Sequence, residues 1–187
     1  MHILAITPGR GFEPRTWAPV LRSGVDGFLL REPGLEARDL LSAARWCREA
    51  APEVALWVGG RLDVALACGA GLHAPERHPE LPGGLVPLSR PLHAPAQLDS
   101  RRACAQLLVA PVFPSPGKGE PWGLRGLHAL LDAMAEGGPR VLALGGVDAA
   151  NAPSMRHPRL DGVALIRALW EAPEPAGAVE ALRKAWA

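Results

Sequence analysis

Residues capable of proton transfer and anion binding stand at the ends of several short apolar runs in this chain. Arg31 ends the run 26–31 and Glu32 follows it, and His93 follows the run 85–89. An arginine can hold a phosphate or a carboxylate through two parallel N–H bonds, and an imidazole can accept and release a proton near neutral pH. These residues predict an anionic ligand and an acid–base reaction. The alternatives are a structural ion pair of Arg31 with a carboxylate and a surface role for His93.

A long loop between 110 and 119 is rich in Gly, Pro and Ser and has one lysine near its tip. That residue, Lys118, is one of two lysines in a chain that has 18 arginines. Its compact ammonium group suits a loop that closes over an anion. Ser115 in the same loop adds a hydroxyl group that can donate to the same anion. The loop therefore predicts part of an anion-binding site.

Two further junctions have the composition of a phosphate site. Gly145 and Gly146 follow one apolar run, and Ile166 and Arg167 follow the last one, at the start of a predicted helical turn. Glycines expose backbone N–H groups, and the beginning of a helix adds a partial positive charge. Together with Lys118, these residues predict that an anionic group binds where the last two strands end.

His73, Glu76 and His78 bring two imidazoles and a carboxylate close together in the chain. Zinc uses such ligands, but the prolines of this segment remove the helical spacing that would hold them on one face. We therefore expect no metal site here and a hydrogen-bonded core position for His73. Gly59 and Gly60 form either a strand-to-helix turn or a gap that admits a ligand.

The elements that position these residues follow from the apolar pattern. Each apolar run is nearly continuous, which is typical of parallel strands covered on both faces. Helical periodicity occupies 35–50, 124–136 and 176–186, whereas prolines interrupt 75–84 and 90–105. We predict a compact (β/α)8 barrel with some shortened crossovers; a five-stranded doubly wound sheet is the alternative. The predicted strands are 3–7, 26–31, 54–58, 71–74, 85–89, 106–110, 141–144 and 161–166.

Composition limits the class of protein. The chain has 187 residues, a formal net charge of +1 and 48% hydrophobic residues, which predicts one domain over 1–187. No basic block suggests a nucleic-acid partner, and no apolar stretch is long enough for a membrane span. Cys47, Cys68 and Cys104 lack the spacing of a disulfide framework or zinc site, so we expect reduced thiols. A cytoplasmic location is the expectation.

The ordered set of motifs resembles the thiamine-phosphate synthase/TenI superfamily from Ile3 to about Trp170. The most specific segment is 113–118, Phe-Pro-Ser-Pro-Gly-Lys, which is similar to the family's Phe-Pro-Thr-x-x-Lys. Leu29-Leu30-Arg31-Glu32 likewise resembles its Gln-x-Arg-Glu strand end. The segments that carry the resemblance, in the family's order, are 29–32, 69–73, 110–118, 144–147 and 162–166.

The resemblance implies one of two reactions. Synthases of this family join a pyrimidine pyrophosphate to a thiazole phosphate with the help of Mg²⁺, whereas TenI-type members aromatise a thiazole carboxylate phosphate. This chain departs from the family at four places. It has Leu29 where the family has Gln, Pro33 where it has Lys, and Gly59-Gly60 where it has Asn-Asp. The family's metal-binding Asp falls near His78, where this chain has no Asp. Because the carboxylates that would hold a hard cation are replaced, we expect no metal and no other cofactor.

The departures favour a TenI-like thiazole tautomerase that works without metal. His93 aligns with the family's proton-transfer histidine, although Pro91 replaces the neighbouring Ser. The resemblance implies that Arg31 or Lys118 holds the ring carboxylate of a phosphorylated thiazole. The alternatives are a thiamine-phosphate synthase and a non-catalytic regulatory protein that binds the same ligand. A homodimer is the assembly that the resemblance implies, with no nucleic-acid or membrane partner.

Overall fold

The computed structural model describes residues 1–79, 81, 84–135 and 137–187. Its strands are β1 (His2–Ile6), β2 (Gly27–Leu30), β3 (Ala55–Gly59), β4 (Gly71–His73), β5 (Leu88–Leu92), β6 (Gln106–Val109), β7 (Arg140–Leu144) and β8 (Gly162–Leu165). All eight are parallel and pair in chain order, and β8 pairs with β1 to close the barrel. The predicted (β/α)8 barrel is confirmed, and the doubly wound sheet is wrong.

The fifth strand lies further along the chain than the predicted run 85–89. Ser89 pairs with Gln106 and the strand continues to Leu92, so it includes Pro91. Leu85, which made the earlier part of the run apolar, is 48% exposed. The pairing with β6 therefore decides where β5 lies, because the apolar pattern alone does not separate a strand from the segment that leads into it.

The helices cover the outside of the barrel unevenly. The predicted helix 35–50 begins at residue 37, and the predicted 124–136 ends at residue 133; residue 136 lies outside the described part. Short 3-10 turns replace helices between β5 and β6 (Pro95–Gln97 and Asp99–Arg101) and between β7 and β8 (Ala152–Met155). The helices are α1 (Pro14–Leu21), α2 (Ala37–Ala50), α3 (Leu62–Cys68), α4 (Gly123–Ala133), α5 (Arg167–Trp170) and α6 (Pro175–Trp186).

Apolar side chains fill both sides of the barrel wall. Inside, Trp57 lies against Gly71, where an added Cβ would be 2.4 Å from the indole Cε3, so only glycine leaves room for the ring. The other residues of the inner cluster are Leu4, Ile6, Leu29, Leu108, Leu142 and Ala164. Outside, α2 buries Leu40, Ala44 and Cys47 at the predicted helical spacing.

The amino ends of the strands are held by paired charges. Asp26 accepts the Ile3 N–H at 2.7 Å and forms an ion pair with Arg183 at 2.9 Å. Asp161 in the same way accepts the Val141 N–H at 2.7 Å. These bonds tie α6 and two loops to the strands, so this end of the barrel is fixed by its own side chains.

The three cysteines are free thiols, as predicted. Burial raises the pKa of the Cys47 thiol to about 12, so this residue stays protonated and unreactive at neutral pH. None of the helices in the described ranges is both long and apolar enough to cross a membrane.

Candidate functional site

Gly145 and Gly146 turn the chain where it leaves β7. Their φ angles are 101° and 65°, a region that disfavours residues with a side chain. A Cβ added at Gly145 would lie 2.8 Å from Cβ of Pro111, and one at Gly146 would lie 2.8 Å from Cβ of Phe113. The loop after β6 therefore packs directly on the two glycines. The Phe113 N–H fixes this contact by donating to the Gly145 oxygen at 3.0 Å.

Backbone N–H groups at the ends of β7 and β8 are left without acceptors. Those of Gly146, Ile166 and Arg167 donate no hydrogen bond to any described residue. They are neighbours because β7 and β8 are paired up to the positions just before them. Asn151 Nδ2 donates to the Gly146 oxygen at 2.7 Å and so holds the turn. Such N–H groups can bind phosphate oxygens, and the structure places them side by side as the sequence predicted.

Lys118 lies at the exposed tip of the loop between β6 and α4. The base of this loop is closed by the Trp122 N–H, which donates to the Pro111 oxygen at 2.8 Å. The Ser115 hydroxyl donates to the Phe113 oxygen at 3.4 Å, so it is partly engaged within its own loop. The Lys118 ammonium group forms no ion pair with a described residue, and it remains available to an anion at the mouth of the barrel.

His93 follows the last residue of β5 and has an exposed side chain. Its Nδ1 lies 2.8 Å from the carbonyl oxygen of Ala110. A carbonyl oxygen can only accept, so the neutral ring carries its proton on Nδ1. The lone pair is then on Nε2, which is the atom that can take up a proton.

Three residues support His93 in a way that the sequence did not indicate. Oε1 of Gln97 accepts the N–H groups of His93 and Ala94 at 2.9 and 3.2 Å, and its Nε2 donates to Glu76 at 2.7 Å. The buried Arg101 binds both carboxylate oxygens of Glu76, at 2.9 and 3.0 Å. Gln97 lies four residues after His93, so the sequence spacing could have suggested this contact. The contact with Glu76 joins two loops, and no sequence pattern signalled it.

Arg31 and Glu32 do not pair with each other, so that alternative is wrong. Glu32 is buried, and its carboxylate accepts the N–H groups of Gly9 and Gly11 at 3.1 and 2.7 Å. It therefore anchors the loop after β1. Arg31 is held through its backbone, whose N–H donates to Thr7 Oγ1 at 2.8 Å. The exposed guanidinium group forms no ion pair with a described residue.

His73 is hydrogen-bonded inside the barrel, as predicted, but it also reaches the mouth. Its Nδ1 lies 3.0 Å from Ser89 Oγ, and Gln106 Nε2 donates to the same oxygen at 3.3 Å. Burial, followed by the charges of Arg31 and Arg90, lowers the pKa of His73 to about 4. The imidazole is therefore neutral at physiological pH. Ser89 and Gln106 are buried polar residues that no sequence pattern indicated.

The described residues of the mouth do not fit a divalent cation. Glu32 is bound by backbone N–H groups, Glu76 by Arg101, and Asp63 by Arg61 at 2.7 Å. Within the described residues, no three His, Cys, Asp or Glu side chains form a group that could hold a metal. Mg²⁺ needs oxygen ligands in an octahedral arrangement, and carboxylates already bound elsewhere do not supply them.

The fold and the site define a (β/α)8-barrel protein whose polar groups gather at the carboxyl ends of the strands, where such barrels carry their active sites. Within this class, the chain belongs to the thiamine monophosphate synthase family, whose sequence profile matches residues 4–169.

Two relatives illustrate the similarity. The chain is 33% identical over 193 residues to the thiamine-phosphate synthase of Albidiferax ferrireducens, covering 91% of this chain and 84% of the relative. It is 33% identical over 192 residues to the thiamine-phosphate synthase of Methanoculleus marisnigri, covering 95% of this chain and 90% of that relative. Among solved structures, the thiamine phosphate pyrophosphorylase from Pyrococcus furiosus superposes on this chain with a TM-score of 0.84. The match covers 99% of this chain and 95% of the other, and at 23% identity it supports the fold.

These comparisons assign the chain to a family of thiamine biosynthesis. They do not show the predicted TenI-type subgroup. Both relatives are named as synthases, so the comparisons favour the synthase alternative over the tautomerase. The roles of the individual site residues stay predictions.

Proposed function

We propose that this chain is a transferase of thiamine biosynthesis that joins a thiazole phosphate to a pyrimidine diphosphate. The observation that carries the proposal is the set of unpaired N–H groups on Gly146, Ile166 and Arg167 at the mouth of a barrel of this family. A phosphate needs several such donors to replace its hydration shell. The synthase names of the relatives support the transfer reaction.

Different residues of the mouth bind the substrate phosphate and stabilise the leaving group. The N–H groups of Gly146, Ile166 and Arg167 hold the thiazole phosphate, and the loop of Lys118 closes over the anions. The departing diphosphate carries negative charge, which positive groups at fixed positions stabilise. Because the described residues of the mouth do not fit a divalent cation, we assign no step to a metal. That stabilisation falls to the side chains of Lys118 and Arg167.

The test is a time-course assay of the metal-stripped protein with both substrates, with and without added Mg²⁺, in which thiamine phosphate is separated and quantified at each time point. We expect product in both conditions. Lys118→Ala should lower the rate by at least about tenfold, because a cation near the reacting charge is lost. Arg125→Ala, at an exposed position on α4, is the matched control and should not change the rate. Absence of thiamine phosphate in both conditions would overturn the proposal.

A second candidate reaction is the aromatising tautomerisation of a thiazole carboxylate phosphate. The geometry of His93 favours it, because Nδ1 is held by the Ala110 oxygen and Nε2 is available as a base. A 1,3-proton shift requires one group that removes a carbon-bound proton and returns it at another position. An imidazole can do both, because its free nitrogen can accept a proton and release it again. The described carboxylates of the mouth are bound to other groups, which also suits a reaction that needs no metal.

The two reactions are separated by supplying the thiazole tautomer alone in D₂O and following deuterium incorporation by NMR. Tautomerase activity predicts aromatised product without any pyrimidine substrate. His93→Ala should then abolish turnover but retain ligand binding, whereas His78→Ala should leave turnover unchanged. Unchanged turnover in His93→Ala would exclude the role of this residue. Binding without either reaction would instead identify a non-catalytic protein.

A further inference from the structure

Three polar side chains are hydrogen-bonded in a row across three neighbouring strands of the barrel. His73 ends β4, Ser89 lies opposite it on β5, and Gln106 lies opposite Ser89 at the start of β6. Leu108, two residues after Gln106, belongs to the inner cluster, so Gln106 and the residues opposite it point into the barrel. Ser89 Oγ lies 3.0 Å from His73 Nδ1, and Gln106 Nε2 donates to the same oxygen at 3.3 Å.

Burial makes this arrangement costly for the fold. Ser89 and Gln106 have 0% and 1% of their surface exposed. Oε1 of Gln106 is buried as well and has no hydrogen-bond partner among the described residues. A buried amide with an unpaired oxygen lowers stability, and an apolar side chain would avoid that cost. The polar pair therefore points to a role other than packing.

The bonds of Ser89 determine where its hydroxyl proton lies. An amide nitrogen only donates, so Ser89 Oγ is the acceptor in its bond with Gln106. Among the described residues, the hydroxyl proton has no acceptor other than His73 Nδ1. Nδ1 therefore carries the lone pair, and the proton of the neutral imidazole is on Nε2.

His73 stays neutral and presents this N–H group to the mouth. Burial, followed by the charges of Arg31 and Arg90, lowers the pKa of His73 to about 4, so the ring is uncharged at neutral pH. Its Nε2 has no hydrogen-bond partner among the described residues and is not one of their fully buried unpaired polar atoms. This nitrogen is therefore accessible from the mouth.

The other histidine of the mouth has the opposite tautomer. In neutral His93, Nδ1 carries the proton because it meets the carbonyl oxygen of Ala110, and the lone pair is on Nε2. In His73, Nδ1 meets a hydroxyl group whose proton is directed by Gln106. One ring thus offers a lone pair to a ligand and the other offers a donor, and the atom that faces each Nδ1 makes the difference.

We propose that Gln106 is a positioning residue: through Ser89, it fixes the tautomer in which His73 donates an N–H to an acceptor atom of the bound ligand. The tautomer is a property of the protein alone, whereas the acceptor rests on the proposed function, in which diphosphate oxygens enter the mouth. A neutral donor suits these oxygens, because it avoids the repulsion that a charged imidazole would meet from Arg31.

The tautomer is tested by NMR of ligand-free protein with ¹⁵N-labelled histidine, in which two-bond correlations distinguish the protonated ring nitrogen from the other one. The His73 signals are those that are missing from His73→Gln. In wild-type protein, the Nε2–H form of His73 should exceed the Nδ1–H form at least about tenfold. In Gln106→Glu, the carboxylate only accepts, so the Ser89 proton turns to it and the hydroxyl accepts from Nδ1. The ring proton should therefore move from Nε2 to Nδ1.

A buried carboxyl group has a raised pKa, so spectra of Gln106→Glu are recorded from about pH 6 to about pH 9.5. The ring proton of His73 should move as the new carboxyl group ionises. Ala105→Glu is the matched control, because it adds the same group at an exposed neighbouring residue and should keep the Nε2–H form. A mixed or Nδ1–H tautomer in wild-type protein would overturn the proposal. The same holds if Gln106→Glu keeps the Nε2–H form at every pH.

A double-mutant cycle tests whether Gln106 acts through His73. The probe is inorganic diphosphate, titrated by calorimetry at pH 7. Gln106→Leu, which places no charge in the core, should weaken binding by about threefold, and His73→Ala by at least about tenfold. The double variant should bind no more weakly than His73→Ala, since Gln106 has no effect without the imidazole.

Two results of the titration would contradict different parts of the inference. If the effects of the two substitutions multiply, Gln106 acts independently of His73 and is not its positioning residue. If wild-type protein binds no diphosphate, the ligand acceptor is wrong and the proposed function loses support. The NMR spectra, which need no ligand, would then still decide the tautomer.

Discussion

The ion pair at the amino ends of the strands and the candidate ligand-binding cations at the carboxyl ends use charge in opposite ways. At the amino ends of the strands, Asp26 is paired with Arg183, and Arg183 also donates to two carbonyl oxygens of the chain. At the carboxyl ends, Arg31, Lys118 and Arg167 form no ion pair with a described residue. A charge without a partner gains little stability for the fold, but it keeps its full attraction for a ligand. The difference indicates that the charges at the amino ends stabilise the fold and that the unpaired cations at the carboxyl ends bind a ligand.

The largest expected effect is at the amino end, in Gly162→Ala. A Cβ there would lie 1.9 Å from the carbonyl oxygen of His2, so β1 and β8 would have to separate. We expect a loss of more than about 3 kcal/mol in unfolding free energy, measured by urea denaturation. Gly34→Ala is the control, because nothing lies within 4 Å of its Cβ position. A mild effect of Gly162→Ala would show that this end is more plastic than its bonds suggest.

At the mouth, His73 makes stability depend on pH. Its pKa is about 4 in the folded chain, below the usual 6.5, so the unfolded chain binds more protons between these values. Stability is therefore highest above pH 6.5 and falls as the pH decreases toward 4, by about 3 kcal/mol from this residue. His73→Gln should lack this contribution. The measurement is the difference between wild-type and variant unfolding free energies at pH 7 and pH 4.5, and parallel curves would contradict the prediction.

Removal of a paired charge at the amino end should affect stability alone. Asp26→Ala leaves the buried Ile3 N–H without its acceptor and Arg183 without its ion-pair partner. We expect a loss of about 2 kcal/mol in unfolding free energy and unchanged affinity for carboxythiazole phosphate. Asp99→Ala, which breaks only the exposed pair with Arg102, should cost less than about 0.5 kcal/mol.

Removal of an unpaired charge at the mouth should affect ligand binding and leave stability unchanged. Lys118→Ala should weaken binding of carboxythiazole phosphate by about tenfold and leave the melting temperature unchanged. Because the Lys118 side chain has no partner among the described residues, its removal should not destabilise the fold. Calorimetry and thermal melting of the same preparation measure both effects. A lowered melting temperature with unchanged affinity would reverse the functional assignment of the two ends.

The site was only partly predictable from the sequence. His93 and the glycines of the β7 turn could be placed at the mouth because residues at the ends of parallel strands meet at one edge. The partner of Glu32 could not be predicted, since its carboxylate bridges to the loop after β1 instead of binding the adjacent arginine. The same holds for Glu76, which reaches Gln97 and Arg101 from another loop.

The sequence by itself determined the barrel, its strand order and its family, because short apolar runs separated by helical patterns leave few ways to bury both faces of a sheet. It also placed the ends of seven of the eight strands to within one residue, but not the end of β5. Only the tertiary structure decided that β5 begins at Leu88 and that Ser89 therefore meets His73 and Gln106. These contacts depend on the register between strands, and a shift of one residue in that register would turn each of these side chains to the opposite face of the barrel.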